Sequence, residues 1–239
     1  MTAPSTGGPP ADAVRALGTV LGLLVAGLAV SIGFGAVFTV PLVLSGATLD
    51  SPLTFLAFAA VGQLAFLVVG YAYLRRHGGV PIRWPTRGEV RYMGVGLVVT
   101  LAAAVGLSAL FAALGVAPEG SVFEDPITQD PRVALGLAAL SLVLVAPAEE
   151  LLFRGAIQGR LRRSFGPVAS VALSSLVFGS IHLLNFTGSL VGAFAGVAVV
   201  TVGGLVFGTL YEWTRNLLVP IVVHGSYNAV LLTIAFLTL

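Results

Sequence analysis

The amino-acid sequence predicts an all-α, polytopic transmembrane bundle of about seven helices, and three observations carry that expectation. Of the 239 residues, 57% are hydrophobic and 9% are charged, whereas a soluble domain is about a quarter charged. With a mean hydropathy of +1.01, such a chain cannot cover its own surface with polar groups. Apolar runs of about 20 residues, each long enough for a hydrocarbon core of roughly 30 Å, recur from Val14 to Leu239. These runs lack the alternation of barrel strands, and in lipid every backbone N–H and C=O needs an internal partner, so helices follow.

The segment Met1 to Pro10 is polar and rich in Pro and Gly, and lacks the charged start of a secretory signal. It reads as a disordered tail, extended to residues 1–13, before a single transmembrane domain over 14–239. The first helix is expected near Val14–Val40, followed by a connection whose one charge is Asp50. The second, near Pro52–Leu74, leads into a connection crowded with Arg75, Arg76, Arg83, Arg87 and Arg91. The third, near Val90–Leu114, precedes Glu119, Glu124, Asp125 and Asp130, set against Arg132. The fourth, near Arg132–Arg162, ends in Arg160, Arg162 and Arg163, and the fifth follows near Pro167–Leu184. The sixth, near Leu190–Glu212, carries Gly192 and Gly196, then Gly204 and Gly208, at the spacing that lets membrane helices approach closely. Arg215 precedes the seventh, near Leu217–Leu239. The positive-inside rule makes the arginine-bearing connections cytoplasmic, which puts the N-terminus inside and the C-terminus outside.

Composition excludes several function classes. There is no cysteine, hence no disulfide scaffold, thiolate zinc site or cysteine nucleophile. The formal charge of +2 is small and scattered, so no nucleic-acid partner is expected. Membrane lipid is the expected surroundings, and oligomeric state is not legible.

Polar residues at bilayer depth are costly and become site candidates by default. Glu149, Glu150 and Arg154 stand in Pro-Ala-Glu-Glu-Leu-Leu-Phe-Arg, His182 follows Phe178 by four, and His224 precedes Asn228 by four. Glu150 and Arg154 suit an i,i+4 ion pair. Glu149 is turned about 100° away and is free to face elsewhere. Both glutamates could instead merely pair with Arg154. If the fourth and fifth helices turn at about Ser164–Pro167, Glu149 and His182 each lie about 16 residues, roughly 24 Å, from the turn and come level. A carboxylate and an imidazole so placed could hold and deprotonate a water, although a lone histidine is also an ordinary hydrogen-bonded core residue. His224 and Asn228 share one helix face and can both donate hydrogen bonds, as an oxyanion requires; polar glue between helices would use the same pair. The expected site lies in the cytoplasmic half of the membrane, open to cytoplasmic water. His77, in the second connection, reads as solvated and unrelated.

In this order and on these helices, Glu149-Glu150-x-x-x-Arg154, Phe178-x-x-x-His182 and His224-x-x-x-Asn228 resemble the three signatures of the CAAX protease and bacteriocin-processing (Abi) family, whose best-known members are type II CAAX prenyl endopeptidases. The resemblance spans about 134–239, which would be the catalytic half. It implies an intramembrane endopeptidase acting on prenylated or otherwise membrane-associated polypeptides through glutamate-activated water. Glu149 would be the general base, His182 its partner on the water, and His224 with Asn228 the oxyanion pair, supported by Glu150, Arg154 and Phe178. No cofactor is the favoured expectation. A catalytic zinc held by Glu149, His182 and His224 is the alternative. A non-catalytic scaffold or immunity-type protein of the same fold, and a transporter, are the competing functions.

Overall fold

A computed structural model describes residues 10–46 and 51–239. Seven long helices and one short one account for most of them: α1 (Pro10–Leu44), α2 (Pro52–His77), α3 (Arg87–Ala113), the short α4 (Glu124–Gln129), α5 (132–165), α6 (167–181), α7 (Leu190–Thr214) and α8 (Leu218–Thr238). The chain is an all-α polytopic membrane bundle. Six of its helical runs are long and apolar enough to cross a membrane, and one of these, Arg132–Asn185, comprises α5 and α6. The two arms part at Gly166, whose φ of 78° and ψ of −177° is a conformation that only glycine adopts readily. Pro167 then restarts the helix.

Local chemistry sets the other boundaries. Helix α1 starts at Pro10, so residues 10–13, expected in the tail, are helical; Asp12 in the first turn favours that start. Residues 1–9, the remainder of the expected tail, and Asp50 lie outside the described residues. Ser51 caps α2 by accepting a hydrogen bond from Thr54 N at 3.1 Å, and Gly78, in the left-handed region, ends it. Thr86 and Glu89 form a reciprocal capping box on α3, and Arg83 grips the same Glu89 carboxylate through two 2.7 Å bonds. Before α5, Asp130 accepts from the Arg132 side chain and backbone N–H. The guanidinium, together with that N–H, holds the Asp130 carboxyl below the usual carboxylate range. His77 is exposed, stacked on Tyr73.

Helix α5 is the centre of the molecule. Every residue of Leu152–Gln158 is buried, and Leu152, Phe153, Ala156 and Ile157 form a core with Ala16, Val20 and Leu23 of α1, Leu74 of α2 and Phe178 of α6. A second core joins Phe207 and Leu210 of α7 to Val219 and Val223 of α8, with Met93 and Leu97 of α3 against it. The outward faces of α1 and α3 expose Val37, Val43, Val98 and Val105, which suits acyl chains.

Helix α5 is not a regular α-helix. Two wide, π-type stretches, Ser141–Val145 and Leu151–Gln158, flank the α-turn Ala146–Glu150. Pro147 lacks an N–H, and its ring crowds the carbonyl four residues earlier, which accounts for the first widening. Beside the second, Gly70 of α2 comes so close that a Cβ there would stand 3.1 Å from Leu152 N and 3.2 Å from Leu152 Cα. At the end of the bundle away from the arginine-bearing connections, a two-residue antiparallel ribbon pairs Gly120–Ser121 with Phe186–Thr187, just beyond α6.

Candidate active site

The turn Ala146–Glu150, set between the two wide stretches of α5, points its two carboxylates differently. Glu149, 4% exposed, accepts a 2.9 Å bond on Oε1 from Gln63 Nε2 of α2. Its Oε2 has no hydrogen-bond partner among the described residues and lies 3.8 Å from His224 Nε2. Glu150, fully buried, turns the other way: its Oε1 accepts from His224 Nδ1 at 2.8 Å and lies 3.2 Å from Arg154 Nη1. The i,i+4 pair expected from the spacing is therefore present, as is the separation of the two glutamates.

Arg154 is fully buried and serves two neighbours besides Glu150. Its Nη2 donates to the Gly204 carbonyl of α7 at 3.0 Å, and its guanidinium lies 4.5 Å from the Phe178 ring centroid, a cation–π distance. One turn on, Gln158 Nε2 donates to the Gly208 carbonyl at 3.0 Å. The two glycines singled out for close helix packing thus let side chains four apart on α5 reach carbonyls four apart on α7. A Cβ on Gly208 would stand 2.9 Å from Gln158 Oε1.

The histidines are oriented by their own partners. His182, where α6 passes into a short 3₁₀ turn, directs Nδ1 to the Phe178 carbonyl at 2.7 Å. A carbonyl can only accept, so Nδ1 carries the proton and Nε2 keeps a lone pair. His224 of α8 stacks on Phe207 at 4.7 Å and meets the edge of Phe178 at 5.7 Å. Its bond to the Glu150 carboxylate likewise makes Nδ1 a donor and turns Nε2 toward Glu149.

One cavity of about 500 Å³ collects these groups: Glu149, His182, His224, Asn228 and Gln63 all line it. Glu149 and His182 share its wall. Glu150 and Arg154 do not line it and lie behind. Phe178, expected as a support, lines the cavity and packs against Arg154 and both histidines. Among the described residues, no group of three or more His, Asp or Glu side chains placed to hold a metal ion is found. His224 also already spends Nδ1 on Glu150.

Two features depart from the expectation. Gln63 belongs to the site although an uncharged amide in an apolar span gave no reason to choose it over ordinary packing; its isolation in that span was the available signal. The cavity also runs the other way. It reaches Phe123 and Asn185 beside the ribbon and Leu232 in the last half of α8, while the arginine-bearing connections contribute nothing to its wall. The expectation of a cytoplasmic site rested on the depth of His224, only about two turns from the start of its helix.

Residues 131–230 match the model of a family described as type II CAAX prenyl endopeptidase Rce1-like. This segment is Rce1-like. It contains Glu149, Glu150, Arg154, Phe178, His182, His224 and Asn228. Gln63 lies outside the Rce1-like segment, as do α1, α2 and α3. No curated protein and no solved structure matches the chain significantly.

Proposed function

We propose that this protein is an intramembrane endopeptidase that hydrolyses peptide bonds of prenylated or otherwise membrane-associated polypeptides by glutamate-activated water. The observation that carries the reading is the convergence of Glu149, His182, His224 and Asn228, from three helices, on one cavity in an Rce1-like segment. Glu149 Oε2 takes the proton of a water that His182 Nε2 helps to hold. The water oxygen attacks the scissile carbonyl, and the oxyanion formed is met by donors from His224 and Asn228. Glu149 then delivers the proton to the leaving nitrogen as the C–N bond breaks.

With Nδ1 of His224 donating to Glu150, donation to the oxyanion from this side chain calls for a proton on Nε2 as well. No step is routed through a metal, and cleavage is expected to survive chelator.

The test uses the full chain in lipid nanodiscs with a panel of farnesylated peptides ending in a CAAX sequence and unmodified apolar peptides. Glu149→Gln is expected to lower cleavage by about 10²–10⁴-fold, the usual worth of a general base, with an unchanged thermal unfolding midpoint. Equal cleavage by wild type and variant would overturn the reading and favour a non-catalytic scaffold.

A further inference from the structure

We infer that Gln63 of α2 is a positioning residue for the reaction: its amide fixes the Glu149 carboxylate so that Oε2 faces the water and His224. The inference rests on the endopeptidase reading and adds to it a residue outside the Rce1-like segment. A carboxylate on a two-carbon stem swings freely, and a base must present one oxygen within hydrogen-bond reach of the proton it takes. Among the described residues Glu149 has one hydrogen-bond donor, Gln63 Nε2 of α2 at 2.9 Å on Oε1. That bond occupies the oxygen away from His224 and leaves Oε2 as the free one, 3.8 Å from His224 Nε2. An ionised carboxylate only accepts, so the amide must turn its NH₂ toward it.

Comparison with Gln158 separates this arrangement from ordinary packing. Gln158 uses both ends of its amide, donating to the Gly208 carbonyl and accepting from Ser174 at 3.5 Å. Gln63 uses one end for Glu149, and its buried Oε1 has no hydrogen-bond partner among the described residues. Gln63 lines the cavity and directs its donor to the carboxylate there, whereas Gln158 ties two helices together behind it.

The experiment measures cleavage of a farnesylated CAAX peptide by the full chain in nanodiscs. Gln63→Met, of similar length and without a donor, is expected to lower kcat about 10- to 100-fold, as loss of carboxylate alignment should, with KM and the unfolding midpoint unchanged. In the Glu149→Asp background, whose shortened side chain draws the carboxylate away from the amide, the same substitution should cost less than about 3-fold, because the two residues act as a unit. Unaltered kcat in Gln63→Met, while Glu149→Gln abolishes cleavage, would overturn the inference and leave the endopeptidase reading standing. An equal loss in both backgrounds, accompanied by a lowered unfolding midpoint, would also overturn it by marking Gln63 as structural. If Glu149→Gln itself cleaves normally, the endopeptidase reading falls first.

Discussion

Arg154 is held by several partners without lining the cavity. It is fully buried, paired with Glu150 at 3.2 Å, bonded to the Gly204 carbonyl and packed on Phe178. Replacing it with Met leaves the buried Glu150 carboxylate with His224 but without its guanidinium, and removing one partner of a buried pair costs about 3–5 kcal/mol. The Arg154→Met variant should therefore show a much lower unfolding midpoint in detergent. Adding Glu150→Gln should recover a large part of the loss while cleavage stays low, because His224 would still lack its carboxylate. A double variant melting below the single one would contradict the assignment of Glu150 as Arg154's charge partner. Most of the site was readable at this scale. The carboxylates, Arg154 and the histidines announce themselves because each is expensive in lipid. Gln63 does not, since an uncharged amide carries no such penalty and one sequence cannot tell a packing amide from a working one.

Among the elements, α2 and α5 depend on each other. Gly70 and Gln63 are seven apart on α2 and so lie on one face, which presses on the turn carrying Glu149. A Cβ at Gly70 would meet backbone atoms of Leu152 at 3.1 and 3.2 Å, which cannot rotate aside. Gly70→Val should push the helices apart, destabilise the fold by roughly 1–3 kcal/mol as overpacking does, and lower kcat along with Gln63→Met by lengthening the bond to Glu149. Normal kcat in this variant would show that the close approach does not set the carboxylate. Helix positions and the break near Gly166-Pro167 were legible from hydropathy and from arginines at the turns. The wide stretches of α5 were not: Pro147 signals a disturbed turn but not whether the helix kinks, ends or widens.

Across the whole molecule, two expectations pull against each other. The arginine-bearing connections argue for a cytoplasmic end, yet the cavity extends from Glu149 and His224 toward the ribbon at the opposite end. If the arginines are cytoplasmic, substrate enters from the other face or sideways from lipid. The native chain has no cysteine, so single replacements at Ser121 and Arg162 in intact cells, probed with a membrane-impermeant thiol reagent, will report each end directly. We expect Ser121→Cys to be labelled and Arg162→Cys to be protected until the membrane is opened; the reverse pattern would invert the orientation and put the cavity mouth in the cytoplasm. Hydropathy could not foretell the course of the cavity, because it registers depth in the bilayer and is blind to which side chains line a space between helices.

The complete burial of Leu152–Gln158 within α5 bears on how the matched segment could be inherited or engineered. Its Leu152–Ile157 wall is covered by α1 and α2, which supply Ala16, Val20, Leu23 and Leu74 to the same core. A polypeptide trimmed to residue 131 onward would present that wall to lipid and leave Glu149 without its amide. The matched segment is thus a recognisable signature but not a portable module, and any chimaera must carry the first two helices with it.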